Sequence, residues 1–297
     1  MRQRRMVEAF AKINLGLEIT GKRDDGFHNI RSILAMVDLA DTLTFETGTD
    51  TAGQLSIDPD QMGIDLTDNL IIRAIAAFNR VTGSELMPSV HLTKRIPVAA
   101  GLGGASTDCA ATLLAMNHLT NHSLSKSQLN QIAADLGSDV PFFLGSPVAS
   151  VSGRGTEIVP LPKLSGSLLI LTPDIAIPEK TRTLYGALNA DDFSSGQAID
   201  AQARGLLSSK ALDPMLLGNA FLDPLRRTSA DSAEWDISLR SATSKMFWLT
   251  GAGPSRYSIF ANPDERDSEE ATLRTLVDQP TSMLRVSFAP HGLIVRT

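Results

Sequence analysis

The chain has 297 residues, of which 42% are hydrophobic and 20% charged, and its net charge is −6. This length and balance fit a folded protein with more than one core, and the basic excess typical of nucleic-acid-binding proteins is missing. The single cysteine, Cys109, excludes an intrachain disulfide and a cysteine-based zinc site. No apolar run is long enough for a membrane span and the N-terminus lacks a secretory signal pattern, so we expect a cytoplasmic protein.

The first half of the chain mixes strand and helix patterns. Apolar and polar residues alternate over much of Val7–Ile19, which predicts a strand, and Gly21–Gly26 is rich in turn residues. The other predicted elements of this half are strand-like runs over Ile30–Phe45 with a break near Asp38–Asp41, a helix starting at Thr67–Asn69, a strand over Ser89–Arg95, helices over Thr107–Leu119 and Ser125–Gly137, and a strand over Pro147–Gly153.

The segment Leu161–Gly166 (L-P-K-L-S-G) is typical of a linker, so we predict an N-terminal domain of residues 1–160 and a C-terminal domain of residues 161–297. The predicted elements of the second half are a strand over Ser167–Thr172, mostly helical structure from residue 178 to 243, strands over Lys245–Thr250 and Arg256–Ala261, a helix over Ser268–Asp278 and a strand over Met283–Ala289. Both halves are therefore predicted to be α+β, the second as a split β-α-β arrangement.

A glycine-rich loop lies between a predicted strand and a predicted helix, and reads P-V-A-A-G-L-G-G-A-S-T-D from Pro97 to Asp108. Glycines allow close backbone approach, and the unpaired N–H groups of a helix N-terminus attract anions. Ser106, Thr107 and Asp108 stand where capping residues are expected, and the Ser106 hydroxyl could contact a phosphate oxygen or a magnesium ion. The loop therefore predicts a phosphate site, although a plain strand–helix turn rich in small residues is the alternative.

Two well-known phosphate loops do not match this segment. A P-loop requires a lysine after its last glycine, and none follows Gly104. The dinucleotide fingerprint that starts at Gly101 would need a third glycine at position 106, where the chain has serine. The loop can bind phosphate but offers no catalytic group, so the chemistry must come from elsewhere.

Lys12 and Asp139 are the candidates for that chemistry. Lys12 stands in an otherwise apolar predicted strand, where a charged side chain needs a partner. Asp139 follows a predicted helix in a Gly-Ser-Asp turn, and a carboxylate there can accept the proton of an attacking hydroxyl. Taken singly, Lys12 could be a strand-edge lysine and Asp139 an ordinary turn carboxylate.

Six motifs together resemble the GHMP kinase superfamily over nearly the whole chain. They are A-K-I-N-L at Ala11–Leu15, G-F-H at Gly26–His28, D-N-L at Asp68–Leu70, the glycine loop, G-S-D-V-P-F-F at Gly137–Phe143 and T-G-A-G-P at Thr250–Pro254. The resemblance implies a two-domain α+β fold: an N-terminal ribosomal-protein-like domain that binds ATP, a C-terminal ferredoxin-like domain and an active site in the cleft between them. It also implies Mg²⁺ as cofactor.

Within the superfamily, the chain is most similar to the kinases that phosphorylate the 2-hydroxyl of a cytidine diphosphate-linked methylerythritol, in the methylerythritol phosphate route to isoprenoid precursors. Its partner would then be this small molecule, with no nucleic acid or membrane, as a monomer or dimer. The resemblance implies that Lys12 and Asp139 are catalytic. The implied ATP-binding residues are Asn69, Lys94, Pro97, Val98, Ala99, Ala100, Gly101, Leu102, Gly103, Gly104, Ala105, Ser106 and Thr107, with Ser106 a possible metal ligand.

The implied substrate-binding residues are Asn14, Phe27, His28, Thr181, Tyr185, Gly251 and Gly253. In this resemblance Tyr185 faces Phe27 across the cytosine ring. The family usually has tyrosine at the position of Phe27, so stacking is kept here while a hydroxyl hydrogen bond is lost.

Two alternative functions stay open at this point. The same kinase fold could act on another small alcohol, such as homoserine or a mevalonate-type substrate, although Phe27 and His28 favour an acceptor that carries a base. The fold could also serve as a non-catalytic ligand-binding protein, but the presence of both Lys12 and Asp139 argues against that hypothesis.

Overall fold

The computed structural model describes residues 2–59, 69–120, 124–209, 211–277 and 280–297. Within them the strands form two sheets. The first sheet has the order β11-β1-β2-β4-β3, with β5 and β6 continuing from β2. Its strands are β1 (Arg4–Lys22), β2 (His28–Glu46), β3 (Leu55–Asp58), β4 (Ser89–Thr93), β5 (Val148–Gly153), β6 (Glu157–Pro160) and β11 (Val295–Arg296).

The second sheet has the order β10-β7-β9-β8 and is antiparallel throughout. Its strands are β7 (Ser167–Pro173), β8 (Trp248–Leu249), β9 (Arg256–Phe260) and β10 (Thr281–Ser287). The helices are α1 (Leu70–Thr82), α2 (Gly104–Leu119), α3 (Lys126–Leu136), α4 (Val140–Phe143), α5 (Lys180–Gly186), α6 (Gln197–Ser209), α7 (Leu222–Thr228), α8 (Ala230–Ala242) and α9 (Pro263–Leu276), with short 3₁₀ helices at Ala190–Asp192 and Pro214–Leu216. None of these described helices has the length and apolar character needed to cross a membrane.

Two apolar clusters fix the layers of the molecule. The first joins one face of the first sheet to α1, α2 and α3, with Phe45, Phe78 and Met116 fully buried. The second joins the opposite face of that sheet to the second sheet and α6. Since both faces of the central strands are covered, every residue of β1 from Ala9 to Leu17 is buried, and a charged residue among them needs a polar partner in the core.

A register shift between Phe10 and Ala11 determines which way Lys12 points. Before the shift Val7 belongs to the first cluster, whereas after it Ala11 belongs to the second. Side chains alternate along a strand, so a shift of this kind exchanges the two faces. Lys12 is thereby turned toward the helix layer, where its side chain adjoins Gly103.

The structure corrects several predicted element boundaries. The break predicted near Asp38–Asp41 is wrong, because β2 continues through these residues with only a register shift. The final helix begins at Pro263 rather than Ser268, since the Asn262 side chain caps it and proline is well accommodated in a first turn. The strand predicted over Lys245–Thr250 is reduced to β8.

The helix after the glycine loop begins at Gly104 rather than Thr107, because Gly103 adopts a left-handed φ of 75° and serves as its N-cap. The prediction that Ser106, Thr107 and Asp108 cap this helix is therefore wrong, and all three lie inside it. Thr67 and Asp68, which stand at the predicted helix start, lie outside the described residues, and Asp68 is also the first residue of the D-N-L motif. The domain limit at residue 160 stays a prediction, although the strands up to Pro160 lie in the first sheet and those from Ser167 to Ser287 in the second.

Candidate active site

The glycine loop presents the start of a long helix without a side-chain cap. Helix α2 has 16 residues, its N-cap Gly103 has no side chain to accept a hydrogen bond, and its first turn contains no acidic residue. The N–H groups of such a first turn carry the positive end of the helix dipole and remain available to an external acceptor. The arrangement fits a phosphate group, as the loop sequence predicts.

A second loop, Thr250–Pro254, packs directly against the glycine loop. Gly101 has φ +82°, and a Cβ atom there would lie 2.4 Å from the Thr250 carbonyl oxygen. A Cβ at Gly251 (φ +55°) would lie 2.6 Å from the Gly101 carbonyl oxygen. Both positions therefore need glycine for conformation and for space, and the two loops approach each other at backbone distance.

Lys12 and Asp139 come together beside these loops, although 127 positions separate them in the sequence. Lys12 Nζ lies 3.6 Å from Asp139 Oδ2, and the side chains are 4% and 37% exposed. The Lys12 backbone N–H donates to the Leu102 carbonyl at 2.9 Å, which ties the strand to the glycine loop. The pair thus has a buried cation and a carboxylate that is open to solvent, which suits a group that must meet a substrate hydroxyl.

Asn14 holds this pair in place. Its Oδ1 accepts hydrogen bonds from Lys12 Nζ at 2.7 Å and from the Gly251 N–H at 2.8 Å. Its Nδ2 donates to Ser32 Oγ at 2.9 Å, and its backbone N–H donates to Thr250 Oγ1 at 3.1 Å. Asn14 is 3% exposed, so in this structure it is a buried connector between Lys12 and the second loop.

Lys94 lies on the other side of the glycine loop, in a closed cluster of charges. Its ammonium donates to Asp41 and, at 3.1 Å, to Asp108 Oδ2, and all three side chains are at most 6% exposed. Asp41 also accepts the backbone N–H groups of Arg95 and Ile96. Burial raises the pKa of Asp108 to about 8, although the charge of Lys94 opposes this shift. Lys94 reaches the loop only as a close neighbour of Gly104.

Aromatic rings form the wall of a third region. The rings of His28 and Tyr185 are stacked with centroids 5.0 Å apart, and Tyr185 meets Phe221 edge-on at 4.9 Å. Burial lowers the pKa of His28, with a smaller effect from the charge of Lys22, so the imidazole is neutral at pH 7. Burial, assisted by the charge of Asp139, raises the pKa of Tyr185 to about 12. Because the charge of Asp139 acts on Tyr185, the aromatic wall lies near the Lys12–Asp139 pair.

Phe27 is more open than its neighbours. Its ring is 48% exposed, and the Arg154 guanidinium lies 5.2 Å from the ring centroid. The pairing of Phe27 with Tyr185 across a base stays a prediction, since Tyr185 stacks on His28 in this structure.

The remaining predicted site residues differ in their exposure and contacts. Val98 and Ala99 are exposed, Ala100 and Leu102 are buried, and Thr181 is exposed. Half-buried positions are Pro97 and Ser106, whereas Ala105 is exposed and Gly253 is buried.

Asn69 serves as the N-cap of α1, because its Oδ1 accepts the Ile71 N–H at 2.9 Å. Thr107 is fully buried, and its hydroxyl has no hydrogen-bond partner among the described residues.

Sequence reasoning missed two polar residues that complete the site. Thr250 accepts from Asn14 and donates to the Gly101 carbonyl at 3.4 Å. Lys180, directly before the predicted substrate residue Thr181, donates to the carbonyl oxygens of Ala99 and Gly253. The position of Lys180 next to Thr181 was the signal that could have drawn attention to it.

A magnesium ion would find few carboxylates here. No cluster of three or more His, Cys, Asp or Glu side chains able to hold a metal occurs in the described part of the chain. Magnesium in phosphoryl-transfer sites is commonly held by nucleotide phosphates with one or two protein ligands, so the half-buried Ser106 hydroxyl in the first turn of α2 is compatible with such an ion.

Comparison with known proteins identifies a family model and close relatives that this chain matches. The family model for the GHMP kinases N terminal domain matches residues 69–146, which include the glycine loop and Asp139. A 4-diphosphocytidyl-2-C-methyl-D-erythritol kinase of Dehalococcoides mccartyi is 34% identical over 251 residues, covering 84% of this chain and 87% of that protein. A protein of the same name from Synechococcus sp. is 35% identical over 304 residues, covering 96% of this chain and 93% of the relative.

Solved structures resemble the whole fold. A crystal structure of 4-(cytidine 5'-diphospho)-2C-methyl-D-erythritol kinase superimposes with a TM-score of 0.75 at 27% identity, covering 97% of this chain and 100% of the other. The similarity therefore extends over both sheets and is not confined to the segment that the family model matches.

Proposed function

The chain belongs to the 4-diphosphocytidyl-2-C-methyl-D-erythritol kinases, a branch of the GHMP kinases, and on that premise we propose that it transfers the γ-phosphoryl group of ATP to the 2-hydroxyl of 4-diphosphocytidyl-2-C-methyl-D-erythritol. It is an ATP-dependent small-molecule kinase. The observation that carries the proposed mechanism is the Lys12–Asp139 pair, which is held beside the glycine loop by Asn14.

Phosphoryl transfer needs positioning and charge stabilisation more than covalent help from the protein. In our proposal the Asp139 carboxylate accepts the proton of the substrate hydroxyl while the hydroxyl oxygen forms a bond to the γ-phosphorus. The bond from that phosphorus to the β–γ bridging oxygen breaks, and ADP leaves. Lys12, with its Nζ 3.6 Å from Asp139, orients the carboxylate toward the hydroxyl and stabilises the negative charge that develops during transfer.

The glycine loop would bind the ATP phosphates through the first-turn N–H groups of α2. When bound, Mg²⁺ neutralises charge on the phosphates, and we propose Ser106 as its protein ligand. Asn69 and the residues of Pro97–Thr107 remain our proposed nucleotide-side positions, and we propose that Lys94 acts on this side by supporting the loop at Gly104.

On the substrate side, we propose that the cytosine ring binds at the aromatic wall formed by His28 and Tyr185. A neutral imidazole can donate one hydrogen bond and accept another, so His28 can contact the polar edge of a base. Phe27, Thr181, Gly251 and Gly253 are the further proposed contacts. We also propose a cytoplasmic enzyme with domains of residues 1–160 and 161–297.

A phosphoryl-transfer assay tests this proposal. The purified protein, ATP and Mg²⁺ are supplied in parallel with the cytidyl substrate, homoserine and mevalonate, and ADP formation is followed together with mass spectrometry of the acceptor. We expect phosphorylation of the cytidyl substrate only, at its 2-hydroxyl. Efficient phosphorylation of homoserine or mevalonate instead would contradict the substrate assignment.

Variants separate the chemical and binding roles in the same assay. Asp139→Asn should lower kcat by about 10²–10⁴-fold, because the proton acceptor is lost while the shape is kept. Tyr185→Leu should raise the KM for the cytidyl substrate by about tenfold with a smaller effect on kcat, since stacking on a base contributes about 1–3 kcal/mol. Unchanged turnover in Asp139→Asn would refute the proposed mechanism, in which Asp139 accepts the hydroxyl proton.

A further inference from the structure

Lys180 is a cation that joins the two glycine loops across the two halves of the fold. It is the first residue of α5, and its Nζ donates to the carbonyl oxygens of Ala99, in the first loop, and Gly253, in the second. These contacts place the ammonium where the loop proposed to bind ATP meets the loop tied to the catalytic lysine by Asn14.

The positive charge of Lys180 has no acidic partner in the described part of the chain, where its hydrogen-bond partners are both neutral carbonyls. Burial lowers the pKa of Lys180 to about 8, and repulsion from the charge of Lys12 contributes a smaller part of this shift. Lys12 has the Asp139 carboxylate beside it, whereas Lys180 is held by neutral carbonyls. A partly buried cation without a carboxylate partner is costly, so Lys180 indicates the place of a strongly negative ligand.

Backbone strain occurs on both sides of this contact. Among the described residues, the non-glycine residues with positive φ are Ala99 (φ 54°) and Glu179 (φ 41°). Ala99 supplies a carbonyl to Lys180, and Glu179 directly precedes Lys180 in the sequence. Residues held in such conformations cost about 1–3 kcal/mol each and cluster at ligand-binding and active sites. Their coincidence with the Lys180 contact points to a binding function.

We propose that Lys180 binds the γ-phosphate of ATP and stays with the phosphoryl group as it is transferred. This inference rests on the proposed function above. In the free protein the carbonyls of Ala99 and Gly253 hold the ammonium, and the incoming phosphate oxygens take over at least part of its hydrogen bonding. Throughout the transfer Lys180 remains protonated, the hydroxyl proton goes to Asp139, and the bond to the ADP oxygen breaks as the bond to the substrate oxygen forms.

The location favours the γ-phosphate over the other phosphates present. Ala99 belongs to the loop proposed for ATP, whereas Lys12 pairs with the carboxylate proposed to receive the hydroxyl proton. A group that lies between these two features is the one that passes from nucleotide to acceptor. The α- and β-phosphates belong at the helix start, and the cytidyl diphosphate of the acceptor belongs toward the aromatic wall.

The test compares two nucleotides that differ by the γ-phosphate. Binding of ADP and of the non-hydrolysable triphosphate analogue AMP-PNP, each with Mg²⁺, is measured by calorimetry on the full chain and on Lys180→Met. A charge-assisted hydrogen bond to phosphate contributes about 1.5–3 kcal/mol, so AMP-PNP should bind roughly 10–100-fold more weakly to the variant. ADP affinity should change by less than about twofold, which is under 0.5 kcal/mol.

The matched control is Arg182→Met, which removes a cation from the same helix. Arg182 is 86% exposed and pairs with Glu179, so both nucleotides should bind as in the unmodified chain. Lys180→Arg keeps the charge and should recover most of the AMP-PNP affinity. An equal loss of ADP and AMP-PNP affinity in Lys180→Met would assign Lys180 a purely structural role in the loops, and no loss at all would also overturn the inference.

A measurement on the unmodified chain covers the case in which Lys180→Met does not fold. With a pKa of about 8, Lys180 loses its charge above that pH in the free protein. The charged groups nearby are Lys12 on β1, its partner Asp139, and Glu179 and Arg182 beside Lys180; the segments 97–104 and 250–254 carry none. AMP-PNP affinity should therefore fall between pH 7 and 9 relative to ADP affinity. A constant ratio would refute the proposal.

Failure of this inference is distinguishable from failure of the proposed function. If the unmodified chain phosphorylates the cytidyl substrate but Lys180→Met keeps its preference for AMP-PNP over ADP, the function stands and the role of Lys180 is wrong. If no acceptor is phosphorylated, the function is wrong, and the comparison of nucleotides still decides whether Lys180 contacts a γ-phosphate.

Discussion

Two buried lysines lie against successive glycines of the same loop, and their surroundings are opposite. A Cβ at Gly103 would lie 2.9 Å from Lys12 Cγ, and a Cβ at Gly104 would lie 2.9 Å from Lys94 Nζ. Lys94 is enclosed with Asp41 and Asp108, which are 0% and 5% exposed. Lys12 has the neutral Asn14 and a carboxylate that is 37% exposed.

The difference predicts different roles for the two buried lysines. The charge of Lys94 is compensated inside the protein by the fully buried Asp41, with the buried Asp108 as a second hydrogen-bond partner, which is typical of a structural ion cluster. Lys12 is paired with Asp139, which is 37% exposed, so a substrate hydroxyl can reach this carboxylate from solvent. We therefore expect the Gly104 side of the loop to be structural and the Gly103 side to take part in the chemistry.

The largest expected effect is on the structural side. Lys94→Met leaves the buried Asp41 without its cation and Asp108 without its hydrogen-bond donor, and breaking a buried ion pair in this way costs about 3–5 kcal/mol of unfolding free energy. Chemical denaturation followed by circular dichroism measures the loss. A variant as stable as the unmodified chain would show that the cluster does not hold the loop, and the comparison between the two lysines would fail.

Lys12→Met tests the chemical side. Loss of a preorganised charge next to the transferred group should lower kcat by about 10²–10³-fold, equivalent to about 2.7–4 kcal/mol. The unfolding free energy should change much less than in Lys94→Met, because Asp139 can be solvated when its partner is removed. Denaturation curves and steady-state kinetics on both variants give the full comparison, and a larger stability loss in Lys12→Met would reverse it.

Gly103→Ala sharpens the comparison at the loop itself. Gly103 has φ +75°, and the added methyl group would lie 2.9 Å from Lys12 Cγ and 3.0 Å from Phe143 Cζ. A left-handed alanine costs about 1–2 kcal/mol, and we expect weaker AMP-PNP binding and slower turnover in addition. Gly83→Ala is the control, since Gly83 has φ +69° with open space around it. Equal effects on nucleotide binding in both variants would contradict the close fit at Gly103.

The smallest effect concerns pH. The pKa of Asp108 in the folded protein is raised to about 8 from an ordinary value near 3.8, mainly by burial. The folded chain therefore binds this proton more tightly than the unfolded chain, and the stability so gained is lost as the pH rises through about 8. Asp108→Asn should reduce the fall in unfolding free energy between pH 7 and 8 by up to about 1.4 kcal/mol, and should change it little above pH 9, where Asp108 is ionised in the folded and the unfolded chain. Melting curves across this range would contradict the assignment if the two slopes were the same.

Much of the fold followed from local patterns. The alternation of apolar and polar residues correctly predicted β1, and Ser125 correctly predicted the start of α3. The motifs correctly identified the family of the chain. The start of α2 was missed because the left-handed φ of Gly103 lets the helix begin three residues before Thr107. Ser106 and Thr107 have good capping propensity, but this local preference lost to the conformation that glycine allows.

The sequence by itself predicted the α+β composition, a phosphate-binding loop and the candidate residues Lys12 and Asp139. Only the tertiary structure decided which lysine lies beside a solvent-accessible carboxylate. The register shift at Phe10 turns Lys12 toward Asp139, whereas Lys94 meets Asp41 across the sheet and Asp108 on α2. Lys180 became visible in the same way, because the contacts that define its role join residues 73 and 81 positions apart. Charge compensation depends on distances in space, and a linear pattern does not contain them.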